Sequence, residues 1–405
     1  MFFELALVLL IGIIIGTLTG LAPGIHINLV AAITLSSLPL LAFISPLSLA
    51  VFITVVALTH TCVDFIPSIY LGAPEEDTYL TVLPGHEMLK QGQAHEAILL
   101  ALLGVIIGLI ISLPLVPFYL FISPIMEKFL TNIVAFTLIA ISLFMIFREE
   151  KFLTALVVFI LAGFLGYSSL NLPINEPLLP LLTGLFGASS ILLSLKDKVE
   201  IVNQNQTRLR DIEISKKDIL NSSIGALVTL PFFSILPALG SGYATLTASE
   251  TLESFKRDIS RKAFLILSGA INTAIMISSF ILVYTINKAR TGASAALKKL
   301  ITTPTLEQSI IIVLSIILAT IVAVLITVYL SKKSSIIITK INYQKLSLVV
   351  ILIIIFFTGI ISGYLGLLVL ATSTSLGIFA ISSRIKRTHL MASLIIPTII
   401  YYLLS

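Results

Sequence analysis

The chain contains no tryptophan, one cysteine and few charges. Of its 405 residues only 11% are charged, against roughly 25% in soluble domains, and 57% are hydrophobic. The scarcity of charge excludes an ordinary soluble fold. Apolar runs of about 20 residues recur from end to end and leave no stretch for a separate soluble domain, so the chain reads as a multi-pass protein of the cell membrane, with the lipid bilayer as its solvent. Cys62 stands alone, which excludes intrachain disulfides and Cys-rich zinc or iron–sulfur sites. Without tryptophan, an interfacial belt falls to tyrosines such as Tyr70, Tyr119, Tyr401 and Tyr402. The net charge of +5 comes from Lys and Arg in short loops. That is a topology signal, and no nucleic-acid partner is expected. The first apolar run, Phe2 to Ala22, has neither a basic start nor an Ala-x-Ala-like cleavage site and reads as part of the mature protein.

The runs predict an all-α polytopic fold of about ten full transmembrane helices plus two Pro/Gly-broken helical hairpins. A first repeat, 1–194, holds a hairpin at 3–44 and spans near 46–71, 96–122, 129–147, 152–167 and 178–194. A polar linker at 195–217 follows. The second repeat, 218–405, holds a hairpin at 219–254 and spans near 263–286, 309–330, 346–366, 367–382 and 389–404. Lys196, Lys198, Arg208, Arg210, Lys216 and Lys217 make the linker cytoplasmic by the positive-inside tendency. Counting crossings from there places Lys332, Lys333, Lys340, Lys345, Arg384, Lys386 and Arg387 on the same side. The loop 287–308, with Lys288, Arg290, Lys298 and Lys299, falls outside against the rule, unless it lies on the surface as an amphipathic segment. Each half has an odd number of crossings, so the second is inverted relative to the first, a common basis of alternating access.

Two proline breaks interrupt apolar segments in matching places. They are Leu21-Ala22-Pro23-Gly24-Ile25-His26-Ile27-Asn28 and Ile235-Leu236-Pro237-Ala238-Leu239-Gly240-Ser241-Gly242. A break at bilayer depth frees backbone groups, which hydrocarbon tolerates only where the opening lines a polar cavity. A half-helix starting after Pro23-Gly24 offers free N–H groups to a small anionic substrate, with hydrogen bonds added by His26 and Asn28. At the second break Gly240, Ser241 and Gly242 let a ligand approach the backbone. A plain proline kink lined by small packing residues is the competing reading.

The next span contains Thr59-His60-Thr61-Cys62-Val63-Asp64. His60 and Asp64 are four residues apart and share a helix face, which suits proton relay, cation coordination or substrate contact. No cofactor is expected beyond a coupling H⁺ or Na⁺. The corresponding span of the second half carries neutral Asn272 and Thr273. His86, Glu87, His95 and Glu96 lack a His-Glu-x-x-His spacing and read as a solvated loop, with no metal site.

Gly16-Thr17-Leu18-Thr19-Gly20-Leu21-Ala22-Pro23-Gly24, Leu71-Gly72-Ala73-Pro74 and Lys90-Gln91-Gly92-Gln93-Ala94-His95-Glu96-Ala97 together resemble the permease of tripartite tricarboxylate transporters, the TctA family. Leu236-Pro237-Ala238-Leu239-Gly240-Ser241-Gly242 is similar to its repeated Pro-Gly-x-Gly element. The chain looks like a divergent, short member, with acidic Glu75 and Glu76 in the turn and His26, His60 and Asp64 added within apolar segments. The resemblance implies a cation-coupled importer of di- or tricarboxylates working with a small membrane subunit and an extracytoplasmic binding protein.

The expectation is a secondary transporter of organic anions. Pro23, Gly24, His26, Asn28, Pro237, Gly240, Ser241, Gly242, Asn272 and Thr273 are assigned to substrate, and His60 and Asp64 to ion coupling. A lipid-linked anion such as a polyprenyl phosphate would suit the same half-helix N-termini. A membrane-embedded hydrolase using His60 and Asp64 lacks a Gly-x-Ser-x-Gly elbow or a metal motif, so no enzyme is expected.

Overall fold

A computed structural model describes residues 2–22, 27–72, 82–131, 133–196, 202–236, 240–255, 257, 259–286, 289–340 and 343–404. Regular structure among them is helical throughout, as hydrocarbon requires of spanning segments that must satisfy their own backbone groups. The first half comprises α1 (Phe2–Leu21), α2 (Ile27–Ser36), α3 (Pro46–Val63), α4 (Phe65–Tyr70), α5 (Val82–Lys90), α6 (Ala94–Thr131), α7 (Val134–Phe147) and α8 (Phe152–Asn171). It ends with α9 (Leu178–Leu182), a π-helical turn at Thr183–Ala188 and α10 (Ser189–Lys196). The second half comprises α11 (Lys216–Phe233), α12 (Ser241–Ser254), α13 (Arg261–Thr285), α14 (Gly292–Leu300), α15 (Leu306–Ile338), α16 (Tyr343–Ser382) and α17 (Ala392–Leu404). Among the described residues nine helical segments are long and apolar enough to cross a membrane, which makes this a polytopic membrane protein.

Local chemistry sets many of the boundaries. Ser45 caps α3 with Pro46 at the first helical position, and Ser260 caps α13 by accepting from the Ala263 N–H. Thr291 with Ser294 and Thr305 with Gln308 form capping boxes at α14 and α15. Pro67, which has no N–H to offer the carbonyl four residues back, separates α3 from α4 although the two run on as one span. The predicted spans 346–366 and 367–382 are both present as helices within α16, which turns between them at Gly363. Its φ of 67° is left-handed, a conformation glycine adopts readily, and the turn lies three residues before the expected boundary.

Side-chain contacts give the directions of the helices. Ser45 at the start of α3 donates its N–H to Glu4 at the start of α1 (2.8 Å), and Gly20 at the other end of α1 lies against Val63, so α1 and α3 are parallel. Tyr70 ends the α3–α4 span beside Ser331 (3.1 Å to its carbonyl), and His95 at the start of α6 meets the Ser331 hydroxyl (2.8 Å). Lys262 at the start of α13 pairs with Glu96 at 2.8 Å. The α3 span therefore ends at the face where α6 and α13 begin. The linker is sewn onto that face: Asn205 donates its N–H to the Gly92 carbonyl (2.7 Å), the Ala94 N–H donates to Gln204 Oε1 (3.1 Å), and Gln204 Nε2 donates to the Leu89 carbonyl (2.9 Å). Gly92 has φ +79°, and a Cβ there would stand 2.6 Å from the Asn203 carbonyl oxygen.

The halves are interleaved. One apolar core joins Leu138, Phe159 and Leu181 to Leu230, Tyr243 and Leu267, and another joins Ile53 and Val56 to Leu297 and Ile316. At the α6–α13 contact a Cβ on Gly104 would collide with the Ile266 carbonyl and one on Gly269 with that of Ala101, so the two backbones touch. Phe3, Leu10, Phe164, Leu314, Leu325 and Phe356 are exposed and face where lipid would lie. Tyr401 is exposed as an interfacial residue should be, but Tyr70 and Tyr119 are buried. Each reaches a hydrogen-bond partner inside the protein, Ser331 for Tyr70 and Ser234 for Tyr119 (3.0 Å), which is what a buried phenol requires.

Candidate functional site

Each break is followed at once by a helix: α2 opens at Ile27 and α12 at Ser241. Both helices present first-turn N–H groups that have no intrahelical acceptor. Pro23, Gly24, His26 and Pro237 lie outside the described residues; Asn28 belongs to the first turn of α2, its side chain outside the description. Gly240 is the N-cap residue of α12, and Ser241 and Gly242, both buried, form its first turn.

His60 is buried on α3, and its Nδ1 lies 3.1 Å from the hydroxyl of Thr19, two residues before the end of α1. Gly16 and Gly20 make this approach possible: a Cβ on Gly16 would stand 2.7 Å from Thr59 Cβ, and one on Gly20 2.8 Å from the His60 carbonyl. Asp64 is also buried, with Ser68 Oγ 3.4 Å from its Oδ2. The end of α1 thus lies against His60, one turn before Asp64.

Asn272 and Thr273 are buried on α13, and both Asn272 Nδ2 and Thr273 Oγ1 lack a hydrogen-bond partner, as does buried Thr59 Oγ1 on α3. At about 1.5 Å per residue, His60 lies roughly 21 Å along the α3–α4 span of about 37 Å, and Asn272 roughly 17 Å along the oppositely directed α13. Both therefore lie near mid-span at nearly one depth. Leaving a buried polar atom unbonded costs about 1–3 kcal/mol, so such atoms mark where a ligand or water completes the bonding.

Several contributors carry no sequence motif. Around the second break, Ser234 bonds Tyr119, and the Arg290 guanidinium donates to the carbonyls of Phe233 and Leu236, the latter at 3.1 Å. This arginine belongs to the loop whose charge conflicted with the topology count; it is occupied in closing the broken end of α11. His95 and Glu96, expected in a solvated loop, are instead buried in the first turn of α6, where Ser331 and Lys262 hold them. The Lys90–Ala97 segment, which carried the best family resemblance, is the place where the linker docks. Among the described residues no group of three or more His, Cys, Asp or Glu side chains is arranged to hold a metal ion.

The chain is 30% identical over 406 residues to an uncharacterized protein of Methanocaldococcus jannaschii, covering 98% of each. No solved structure matches. The family model described as "Tripartite tricarboxylate transporter TctA family" matches residues 6–392, from the first turns of α1 to the start of α17. The resemblance read in the two breaks and the Gly92 loop is thereby extended to nearly the whole chain: it belongs to the tripartite tricarboxylate transporter TctA family.

Proposed function

We propose that this protein is the permease of a secondary active transport system for small organic anions such as di- and tricarboxylates, driven by H⁺ or Na⁺ and working by alternating access between two inverted halves. The family supplies the transporter class. The observation that carries the finer reading is the pair of unpartnered buried groups, Asn272 Nδ2 and Thr273 Oγ1, near the depth of His60. Neutral donors and helix N-termini suit a carboxylate, and buried His60 and Asp64 suit a coupling cation.

The inverted halves are supported by the spacing of the helices. Phe2 and Lys216 open α1 and α11, Ile27 and Ser241 open α2 and α12, and each pair is 214 residues apart. α1 starts at the face away from the linker and α11 at the linker face, so the matching helices run in opposite directions. A small membrane subunit and an extracytoplasmic binding protein complete the system in this reading, as the word tripartite in the family's description suggests.

The test is uptake of labelled di- and tricarboxylates into liposomes holding the purified protein, with and without Na⁺ or proton gradients. Gradient-dependent uptake of at least one carboxylate is expected. Equal uptake without gradients overturns the coupling, and competition by a polyprenyl phosphate but by no carboxylate overturns the substrate class.

A further inference from the structure

On the linker face a cluster of ion pairs lies apart from the breaks. Glu250 sits near the end of α12, the returning arm of the second hairpin, and its carboxylate is almost wholly buried. Lys386 Nζ donates to Oε1 at 2.8 Å, and Oε2 is 2.8 Å from Arg148 Nε, a charge contact without hydrogen-bond alignment. Arg148 ends α7 in the first half, whereas Lys386 belongs to the turn between α16 and α17 in the second. These two turns are also joined without Glu250: the Lys386 N–H donates to Glu149 Oε1 (3.2 Å), which lies 3.3 Å from His389 Nε2. One carboxylate on the hairpin is thus held by a scaffold that is already tied together.

The first hairpin has a different residue here. Ser36, 214 residues before Glu250, ends α2, is exposed and bonds to Ile33 within its own helix. Where the turn in α16 meets the α8–α9 turn at that opposite face, Ser362 reaches the Glu176 carbonyl at 3.5 Å. Among the described residues the ionic clasp is therefore particular to the second hairpin.

We propose that Glu250, Arg148 and Lys386 form a latch that holds the second hairpin shut against the scaffold on the linker face and releases during transport. This rests on the transporter reading above. A buried carboxylate deprived of its cations would be stranded at high cost, but the two cations are each about two-fifths exposed and can be hydrated when Glu250 leaves. Glu250→Gln is therefore the clean way to open the latch, and Arg148 and Lys386 remain soluble charges when it does.

Two experiments decide it. In a Cys62→Ala background, Thr247→Cys places a thiol one turn deeper on α12, and a hydrophilic maleimide should label it at least about tenfold faster when Glu250→Gln is added. An unchanged rate overturns the latch, whatever the substrate. In the same background, Glu250→Cys with Lys386→Cys is bridged in liposomes by a reducible bis-thiosulfonate. Uptake should fall at least about tenfold on bridging and return on reduction, with the single cysteine variants unaffected by the reagent. Full uptake by bridged protein overturns the latch. Faster maleimide labelling with no uptake by any variant, bridged or not, keeps the latch and removes the transporter reading.

Discussion

Thr19 and His60, 41 residues apart, face each other at 3.1 Å where α1 ends against α3. The contact ties the last turn before the first break to the imidazole beside Asp64. Thr19→Val keeps the volume and removes the hydroxyl, so it should lower gradient-dependent uptake by about 1–2 kcal/mol, some five- to thirtyfold, with the fold intact by thermal melting. Wild-type uptake by Thr19→Val would separate His60 from the break.

Asp64 offers a harder test of coupling. Asp64→Asn is nearly isosteric but cannot carry the charge that a cation or proton would compensate. Uptake driven by the ion gradient should disappear while carboxylate binding, read by thermal shift, persists. A variant that still concentrates substrate against its gradient would remove Asp64 from the coupling site.

Arg290 closes the end of α11 through the carbonyls of Phe233 and Leu236. Arg290→Gln leaves those acceptors short of donors and should destabilise the protein by about 1–3 kcal/mol. The variant's lowered melting temperature should be partly recovered in Arg290→Lys, whose shorter side chain brings an ammonium toward the two carbonyls that one guanidinium nitrogen, Nη1, reaches in the wild type.

Gly92 seats the linker. Gly92→Ala meets both a left-handed φ of 79° and the Asn203 carbonyl at 2.6 Å, so the loop or the linker must move. Trypsin should cut at Arg208 and Arg210 faster in the variant than in the wild type. Equal cleavage rates would show that the linker's bonds to Leu89, Gly92 and Ala94 are not what protects it.

The orientation has its own check. With Cys62 replaced by Ala, a single cysteine at Asn205 should react with a membrane-impermeant thiol reagent only after intact cells are permeabilised. Labelling of intact cells would reverse the assignment of the linker to the cytoplasm.

Much of this was legible in sequence because hydrocarbon imposes simple rules. Hydropathy located the spans, and the two breaks it left stand just ahead of helices that open at Ile27 and Ser241. The turn in α16 lies three residues from the expected boundary, at a glycine whose left-handed φ lets the chain bend. Thr19, Tyr119 and Arg290 stayed hidden for another reason: their roles depend on partners tens to hundreds of residues away, and none breaks an apolar pattern. His95 and Glu96 looked solvated because charge near a span end usually is. Ser331 and Lys262, both from the other half, are the partners that hold them inside.

The touching backbones of α6 and α13 bear on how the protein is made. Gly104 and Gly108 face Ile266 and Ala270, residues translated more than 150 positions later. A nascent first half therefore enters the bilayer with a groove along α6 that nothing yet fills. Lipid chains must line it until α13 arrives. Stalled or truncated chains lacking α13 would leave the glycine face of α6 against lipid.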